Sequence, residues 1–485
     1  MPRHDGTVLV EWYGNTSKRL TEPVSLRSSY CVHSLGYSRA VLLRLLTFLL
    51  SIVSVMSASE EIFWKVGTPL PSELTCEDLF LSCLVPRPTV WITVGDKIAL
   101  LEGFNMCNSD PPTIMFGATA LPKEMLEKLM ETKTCTLSTG TTHQPLTAYK
   151  SATRKGGKTP VMTFESLGFT PVTSKEGYPP AVSTSPIHMQ SRLIDSADLG
   201  SGEMLLMLEA EYIIVDRSAM AAPTESMSSR KVLAKIDCEL IDPIVSMGSG
   251  RFAKVSGMYS MPRPKKQEDG SWFSTELIPL PPTAGPSDVD TVEYCYKKEP
   301  DLFGYNPVKS IAMPRPIGFL STYRKEDRVA HLAPYSFFLD AGRDQPMVVF
   351  VGYRISNGAV KKDAQTDAET MGVFTWNVAT EELGKRMNLS AAELGREGSE
   401  FKLSTLTPIP AQNIDAPVVA ESPISFECEH VKSIDVGNWT CVVGKVLSIT
   451  VNKNIVTDGD IDTEKLKPLS RCGYTDEYAL FTGPL

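Results

Sequence analysis

The sequence predicts a mainly β chain with few helices, folded as two small closed barrels in tandem, and three observations carry that prediction. The first is an internal repeat. Pro86-Arg87-Pro88-Thr89-Val90-Trp91-Ile92-Thr93 is answered by Pro314-Arg315-Pro316-Ile317-Gly318-Phe319-Leu320-Ser321. Four more pairs keep the same order, anchored at Pro112 and Pro346, Pro171 and Pro408, Pro186 and Pro423, and Pro243 and Pro468. The five separations are 228, 234, 237, 237 and 225 residues, a drift of loop size, as a tandem duplication leaves. The second observation is strand patterning. Residues 187–196 and 203–215 alternate or run apolar in the first copy, as do 425–436 and 440–451 around Gly437-Asn438 in the second, like antiparallel hairpins. Many such runs with few helical ones favour barrels, which leave no sheet edge exposed. The third is a connector: residues 262–300 are rich in proline and charge, with Gly270 and Gly285, and read as semi-extended.

In chain order, residues 1–59 form a leader or hydrophobic N-terminal segment. Residues 41–55 are apolar but broken by Arg44, and shorter than a bilayer-spanning helix. They are placed either as a signal core before Ser57-Ala58-Ser59, giving a secretory or organelle-targeted chain, or as extra residues ahead of a start at Met56. The second placement is favoured, with a cytoplasmic chain and no membrane anchor unless 41–55 is retained. The triplets at Asn15, Asn388 and Asn438 matter as glycosylation acceptors only in a secreted chain. The first unit runs 60–261, the linker 262–292 and the second unit 293–485. Helices are expected at 363–370 ending at Gly372, at 380–387, and from a capping box of Ser390 with Glu393.

A chain of 485 residues accommodates two domains, and 42% apolar with 22% charged residues describes a globular protein. A net charge of −9 without a basic stripe argues against nucleic acid as a partner. The ten cysteines hold no C-x-x-C pair and read as reduced core residues; the six histidines show no ligand spacing, so no metal site is expected. Gly248-Ser249-Gly250-Arg251-Phe252-Ala253 fits G-x-G-x-x-A but ends a copy outside any βαβ unit. Glu60-Glu61 and Glu381-Glu382 read as surface carboxylates, and His188 and His430 as strand residues.

The stretch 313–338 carries the richest side-chain set. Pro314 and Pro316 lack donors and belong at a strand start or edge. Residues 317–322 then read as a strand, 323–328 as a charged tip, and 329–338 as a return interrupted by Pro334. Downstream, Lys361-Lys362-Asp363 precedes a helix, whose free N–H groups and partial positive charge favour a phosphate.

With Leu406-Thr407-Pro408-Ile409-Pro410, Ala420-Glu421-Ser422-Pro423 and Pro468-Leu469-Ser470-Arg471-Cys472-Gly473, these motifs fall in the order of a known family over roughly 295–480. The second copy resembles the flavin reductase-like, FMN-binding split-barrel family. That resemblance implies two split barrels and, because members pair as homodimers, an intrachain pseudo-dimer. It also implies FMN, with FAD as the alternative, held by Arg315, Pro316, Ser321, Thr322, Ala333, Pro334, Tyr335, Ser336, Lys361, Lys362 and Asp363. NAD(P)H would be the co-substrate, passing hydride to the flavin; no catalytic side chain is assigned, because the flavin carries the chemistry. The alternative is a non-catalytic flavin-binding or interaction scaffold. Three positions depart from the family: Ala364 replaces Thr, and His331 and Leu339 stand where Asn is common. In the first copy Phe104-Asn105 is aligned with Tyr335-Ser336, and Lys123-Glu124-Met125 with Lys362-Asp363-Ala364, so weak or no flavin binding is expected there.

Overall fold

The computed structural model describes residues 61–485 except 77, 155–157, 223–234, 284, 287–291, 296–305, 344, 356–359, 474–475, 482 and 484. The apolar stretch at 41–55 and the Met56 start therefore lie outside the described residues. The first copy contains β1 (Glu61–Lys65), α1 (Leu79–Cys83), β2 (Arg87–Val94), β3 (Lys97–Glu102), β4 (Asn105–Ser109) and β5 (Pro112–Gly117). It continues with α2 (Lys123–Thr132), β6 (Thr134–Thr139), β7 (Ile187–Gly200), β8 (Glu203–Val215) and β9 (Phe252–Ser260). The second contains β10 (Val292–Tyr294), α3 (Pro307–Ile311), β11 (Gly318–Tyr323), β12 (Ala330–Tyr335), β13 (Phe338–Gly342) and β14 (Met347–Tyr353). After these come α4 (Asp363–Met371), β15 (Val373–Val378), α5 (Gly384–Leu389), α6 (Glu400–Ser404), β16 (Pro417–Val419), β17 (Ile424–Val436), β18 (Trp439–Asn452) and β19 (Glu477–Phe481).

The two sheets share one topology. The first runs β3-β2-β6-β7-β8-β5-β4 and the second β12-β11-β15-β17-β18-β14-β13, with every neighbour antiparallel. Strand alternation sets which side chains go inside. Leu320, Val348, Phe350, Phe374, Trp376 and Phe426 fill the second barrel, and Val90, Ile92, Ile114, Phe116, Leu137 and Leu206 the first. Phe319 and Ser321 alternate with Leu320 and face outward, and Phe319 joins a separate cluster with Leu383, Met387 and Phe401.

Each copy also completes the other, as the two halves of a dimer would. Strand β1 is numbered with the first copy but pairs with β18 of the second, Ile62 opposite Val451. Its counterpart β10 pairs with β8 of the first, Tyr294 opposite Ile213. Helix α1 sends Leu79, Phe80 and Leu81 into the second barrel's core, with the Phe80 ring 5.9 Å from Phe426. Helix α3 sends Val308 and Ile311 into the first. Full burial of a side chain like Phe80 stabilises by about 2–3 kcal/mol. Strands β9 and β19 pair across the seam, Tyr259 opposite Tyr478. Where each exchanged helix crosses, the repeat keeps a glycine: a Cβ on Gly248 would lie 2.6 Å from Ser82 Cα, and one on Gly473 2.7 Å from Ser310 Cα. That packing accounts for Gly248 in the G-x-G-x-x-A string.

Several local expectations need correction. Ser390 does not start a helix; it caps the C-terminus of α5, which begins at Gly384 and not at residue 380. The connector is not simply extended: Lys265–Lys266 pairs with Trp272–Phe273, and Ile278–Pro279 pairs with β9. Asn388 is buried and donates to Pro262 O at 2.7 Å and Ser274 Oγ at 2.8 Å, which fastens the connector to α5. The alignment of Phe104-Asn105 with Tyr335-Ser336 is also shifted. Tyr335 lies opposite Gly318, as Leu101 lies opposite Val90, so Leu101-Glu102 are the counterparts of Tyr335-Ser336. Asn105 therefore answers Leu339, so the first copy keeps the asparagine that the second has lost.

Candidate functional site

The expected site residues fall into three neighbouring groups. In the first, Ser321 is fully buried on the outer face of β11. Its Oγ lies 2.6 Å from Thr375 Oγ1 and donates to Pro417 O at 2.6 Å, while Asn377 Oδ1 accepts from Val419 N–H at 3.0 Å. These bonds pin β16 over the barrel. The first copy builds the same fastening, with Thr136 donating to Pro179 O at 2.6 Å and Ser138 accepting from Val182 N–H at 3.1 Å. Ser321 thus performs in the second barrel a fastening task that the first barrel also needs.

The second group lies on the inner face, where Thr322, His331, Ala333 and Tyr335 share one side of the β11–β12 pair. The Tyr335 ring packs 5.0 Å from Phe350, and its buried hydroxyl has no hydrogen-bond partner. Helix α4 covers this end. His331 Nδ1 lies 2.9 Å from Asp367, which also takes Arg396 at 2.8 Å; Arg396 in turn reaches Asp363 at 3.1 Å. Burial opposes a charge on His331, but the Asp367 hydrogen bond and Glu400 outweigh it and raise its pKa. Gln365 reaches back to the Lys362 N–H at 3.1 Å, and Lys361 pairs with Glu369 at 2.6 Å. Of the Lys-Lys-Asp triplet, only the Lys362 ammonium has no partner among the described residues. Ser336 lies beyond β12, its carbonyl held by Asn105 of the first copy at 3.0 Å.

The third group surrounds Arg315, which with Pro316 forms a two-residue bridge to Ser470-Arg471. Arg315 is 1% exposed and donates to three backbone carbonyls, Lys309 at 2.5 Å, Ala312 at 2.8 Å and Cys472 at 2.7 Å. No carboxylate among the described residues neutralises it, and burial with the nearby Arg471 pushes its pKa down to about 9. Lys309 is pushed down to about 8 by burial, then by Arg315, Arg471 and Arg263, with only Asp476 opposing. Desolvation and then Arg263 also lower Lys362, with Glu393 opposing. Among the described residues, Lys309 thus has three cationic neighbours against one carboxylate. Sequence reading missed Lys309 and Arg263, which are dispersed in the chain and lie in a short helix and in the connector.

The equivalent place in the first copy is neutralised. Arg87 is buried like Arg315 but pairs with Glu102 at 3.1 Å and donates to Ser246 Oγ at 3.1 Å. Asp78 and Asp340 lie nearby with Arg343, so acids and bases alternate there. A separate cavity of about 310 Å³, lined by Arg251 and the acids of 457–464, involves none of the expected residues.

The two halves are split barrels of one topology that complete each other, and comparison with known proteins identifies the family. The model for the flavin reductase like domain matches twice, at residues 81–224 and 310–464. These spans take in more than half the chain, which therefore belongs to the flavin reductase like family. The chain is similar to an uncharacterised protein of Aquifex aeolicus, 31% identical over 170 residues, covering 35% of this chain and 86% of that protein. It is likewise similar to the uncharacterised protein BH2278 of Halalkalibacterium halodurans, 31% identical over 173 residues, covering 34% and 82%. Among solved structures, nitrilotriacetate monooxygenase component B from Bacillus cereus is 29% identical, with 37% of this chain and 90% of that one covered and a TM-score of 0.35. Membership supports a flavin-related oxidoreductase. No helix among the described residues is long and apolar enough to cross a membrane.

Proposed function

We propose that the second barrel binds FMN and uses NAD(P)H as hydride donor, while the first barrel serves as its supporting half. The observation that carries this reading is the contrast between Arg315 and Arg87. Among the described residues, the second copy leaves buried Arg315 and half-buried Lys309 without a carboxylate bonded to them, and a phosphorylated ligand would supply negative charge there. The donor set fits a flavin's phosphate tail: Lys362 at the start of α4 has a free ammonium, and Arg315 and Tyr335 keep buried polar atoms unpaired. Bound flavin supplies two-electron hydride chemistry, and the protein supplies binding, orientation and charge. Ala333, half-buried on the inner face of β12 between Tyr335 and His331, offers an apolar contact for the ring. Nine buried free cysteines among the described residues suit a reducing compartment, in keeping with a cytoplasmic chain.

The test is to purify the full chain, identify any bound flavin, and follow NADH and NADPH oxidation with added FMN. Bound FMN with turnover supports the reading. One observation favours a second reading, a flavin-binding scaffold without turnover: Ser321 and Asp363, both expected at the flavin, are already engaged by β16 and Arg396. Flavin retained without NAD(P)H oxidation would select it.

A further inference from the structure

We propose that Cys238, Met258 and Cys472 form a three-sulfur site for a cuprous ion at the seam between the two copies. The site goes beyond the flavin reading and does not depend on it.

Each sulfur arrives on a different element. Cys238 opens a one-turn helix, Cys238–Ile241, whose N-cap Asp237 accepts from the Glu239 and Leu240 N–H groups. Met258 lies on β9, opposite Ala479 of β19 across the seam. Cys472 follows the Ser470-Arg471 bridge to Arg315, and its N–H donates to Glu477 O at 3.0 Å. Cys472 Sγ lies 3.7 Å from Cys238 Sγ and 3.8 Å from Met258 Sδ. Cys472, Cys238 and Met258 are 0%, 3% and 6% exposed. Two sulfurs bonded at about 2.3 Å to one ion, with a tetrahedral or trigonal angle between them, lie about 3.8–4.0 Å apart. The contacts of Cys472 thus have nearly the span of S–metal–S edges, whereas a disulfide needs about 2.0 Å.

Donor chemistry selects the ion. Two thiolates and a thioether are soft ligands that favour Cu(I), and three sulfurs complete a trigonal site. A structural zinc takes four ligands, and among the described residues no group of three or more His, Cys, Asp and Glu side chains converges. Loading forms two Cu–S bonds as the two S–H protons leave to solvent; the thioether adds through a lone pair, and no electrons are exchanged. The complex carries one net negative charge. Arg315, bonded to no carboxylate among the described residues, donates to the Cys472 carbonyl at 2.7 Å and lies within electrostatic reach of both thiols, so a balancing cation is built in. The acids nearest Cys238, Asp237 and Glu477, are both bound by Lys235, at 3.3 and 2.6 Å.

The repeat isolates the site. Asp462 caps the helix Thr463–Leu466 as Asp237 caps Cys238–Ile241, so Thr463 is the counterpart of Cys238. Met247, before Gly248, is the counterpart of Cys472, before Gly473. One of the two related places therefore carries the thiol pair.

Anaerobic titration of the full chain with Cu(I) against bicinchoninate, with copper and zinc counted by mass spectrometry, tests the site. One retained Cu(I) per chain is expected, with three sulfur neighbours by X-ray absorption. Cys238→Ala and Cys472→Ala should each weaken retention by at least the roughly 100-fold that loss of a ligand's supporting partner can cost, and Met258→Leu, close in volume, by about tenfold. Cys441→Ala, another buried thiol 4.0 Å from a methionine sulfur, is the control and should match the wild type. Circular dichroism checks folding, and Met258→Leu decides the matter if a cysteine variant misfolds. Copper affinity unchanged in the folded variants overturns the site. So does retained zinc in place of copper, or a Cys238–Cys472 disulfide in the peptide map. Flavin is counted in the same samples: copper without flavin leaves the site standing while the flavin reading fails, and flavin without copper does the reverse.

Discussion

Arg87 and Arg315 occupy equivalent places in two barrels of one topology, and they have met opposite fates. Arg87 pairs with Glu102 at 3.1 Å, so its charge is balanced internally. Arg315 is held by three carbonyls beside Lys309, Arg471 and Arg263, so positive charge remains at the seam. Duplication kept the scaffold in both halves and let electrostatics diverge. The hydroxyls show no such divergence: the Thr136–Pro179 fastening in the first barrel matches the Ser321–Thr375–Pro417 one in the second. What differs between the two halves is therefore neither their strands nor their hydroxyls, but whether the buried arginine has a carboxylate partner.

The exchange of β1 and α1 offers the most drastic way to break that comparison. Phe80→Ala should cost about 3–5 kcal/mol through the cavity it leaves. Because Phe80 packs on Phe426, hydrogen exchange should quicken chiefly in β17 and β18 of the second barrel, and flavin retention should fall with it. Loss of protection concentrated in the first barrel would contradict the exchange.

Glu102→Gln converts the first half toward the second by stranding Arg87. Breaking a buried pair this way should destabilise by about 3 kcal/mol in chemical denaturation, and Arg87→Met in the same background should recover much of it. A neutral single variant would show that the pair is not what balances this site.

A smaller effect should appear in pH dependence. With Lys309 lowered to about 8 in the folded chain, its ammonium is lost as pH rises through that value, so phosphate-ligand affinity should fall above about pH 8. Lys309→Arg should flatten the decline. Stability runs the other way: between the folded pKa and the ordinary lysine value the unfolded chain binds more protons, so Lys309 makes folding more favourable as pH rises from about 8 to about 10. The smallest effect is expected at His331. Its raised pKa contributes stability that is fully present below the ordinary histidine value and is lost as pH rises through the folded value; Asp367→Asn should remove that dependence, read by a His331 NMR titration.

The fold was legible because a repeat with loop-sized drift and paired hairpin patterns survive in the residues themselves. The pairing of β17 with β18 around Gly437-Asn438 and the end of α4 at Gly372 were both set by local rules. The exchange of β1 and α1 was not legible, since an apolar pentapeptide does not say which barrel it enters. Nor was the register that matches Leu101, and not Phe104, with Tyr335, because it depends on the lengths of turns between strands. At the site, sequence order singled out Arg315 and Lys362 as candidate cofactor-binding residues. It could not show that Ser321 is consumed by β16 or that Asp363 is held by Arg396, nor assemble Lys309 and Arg263, which are brought together only by tertiary packing.

The most direct measurement is flavin stoichiometry on the full chain, by absorbance after denaturing release, alongside Lys362→Gln and its first-copy counterpart Lys123→Gln. The account predicts one flavin per chain, weakened by the first substitution and untouched by the second. Two flavins per chain, or equal losses from both substitutions, would contradict a division of labour between the halves.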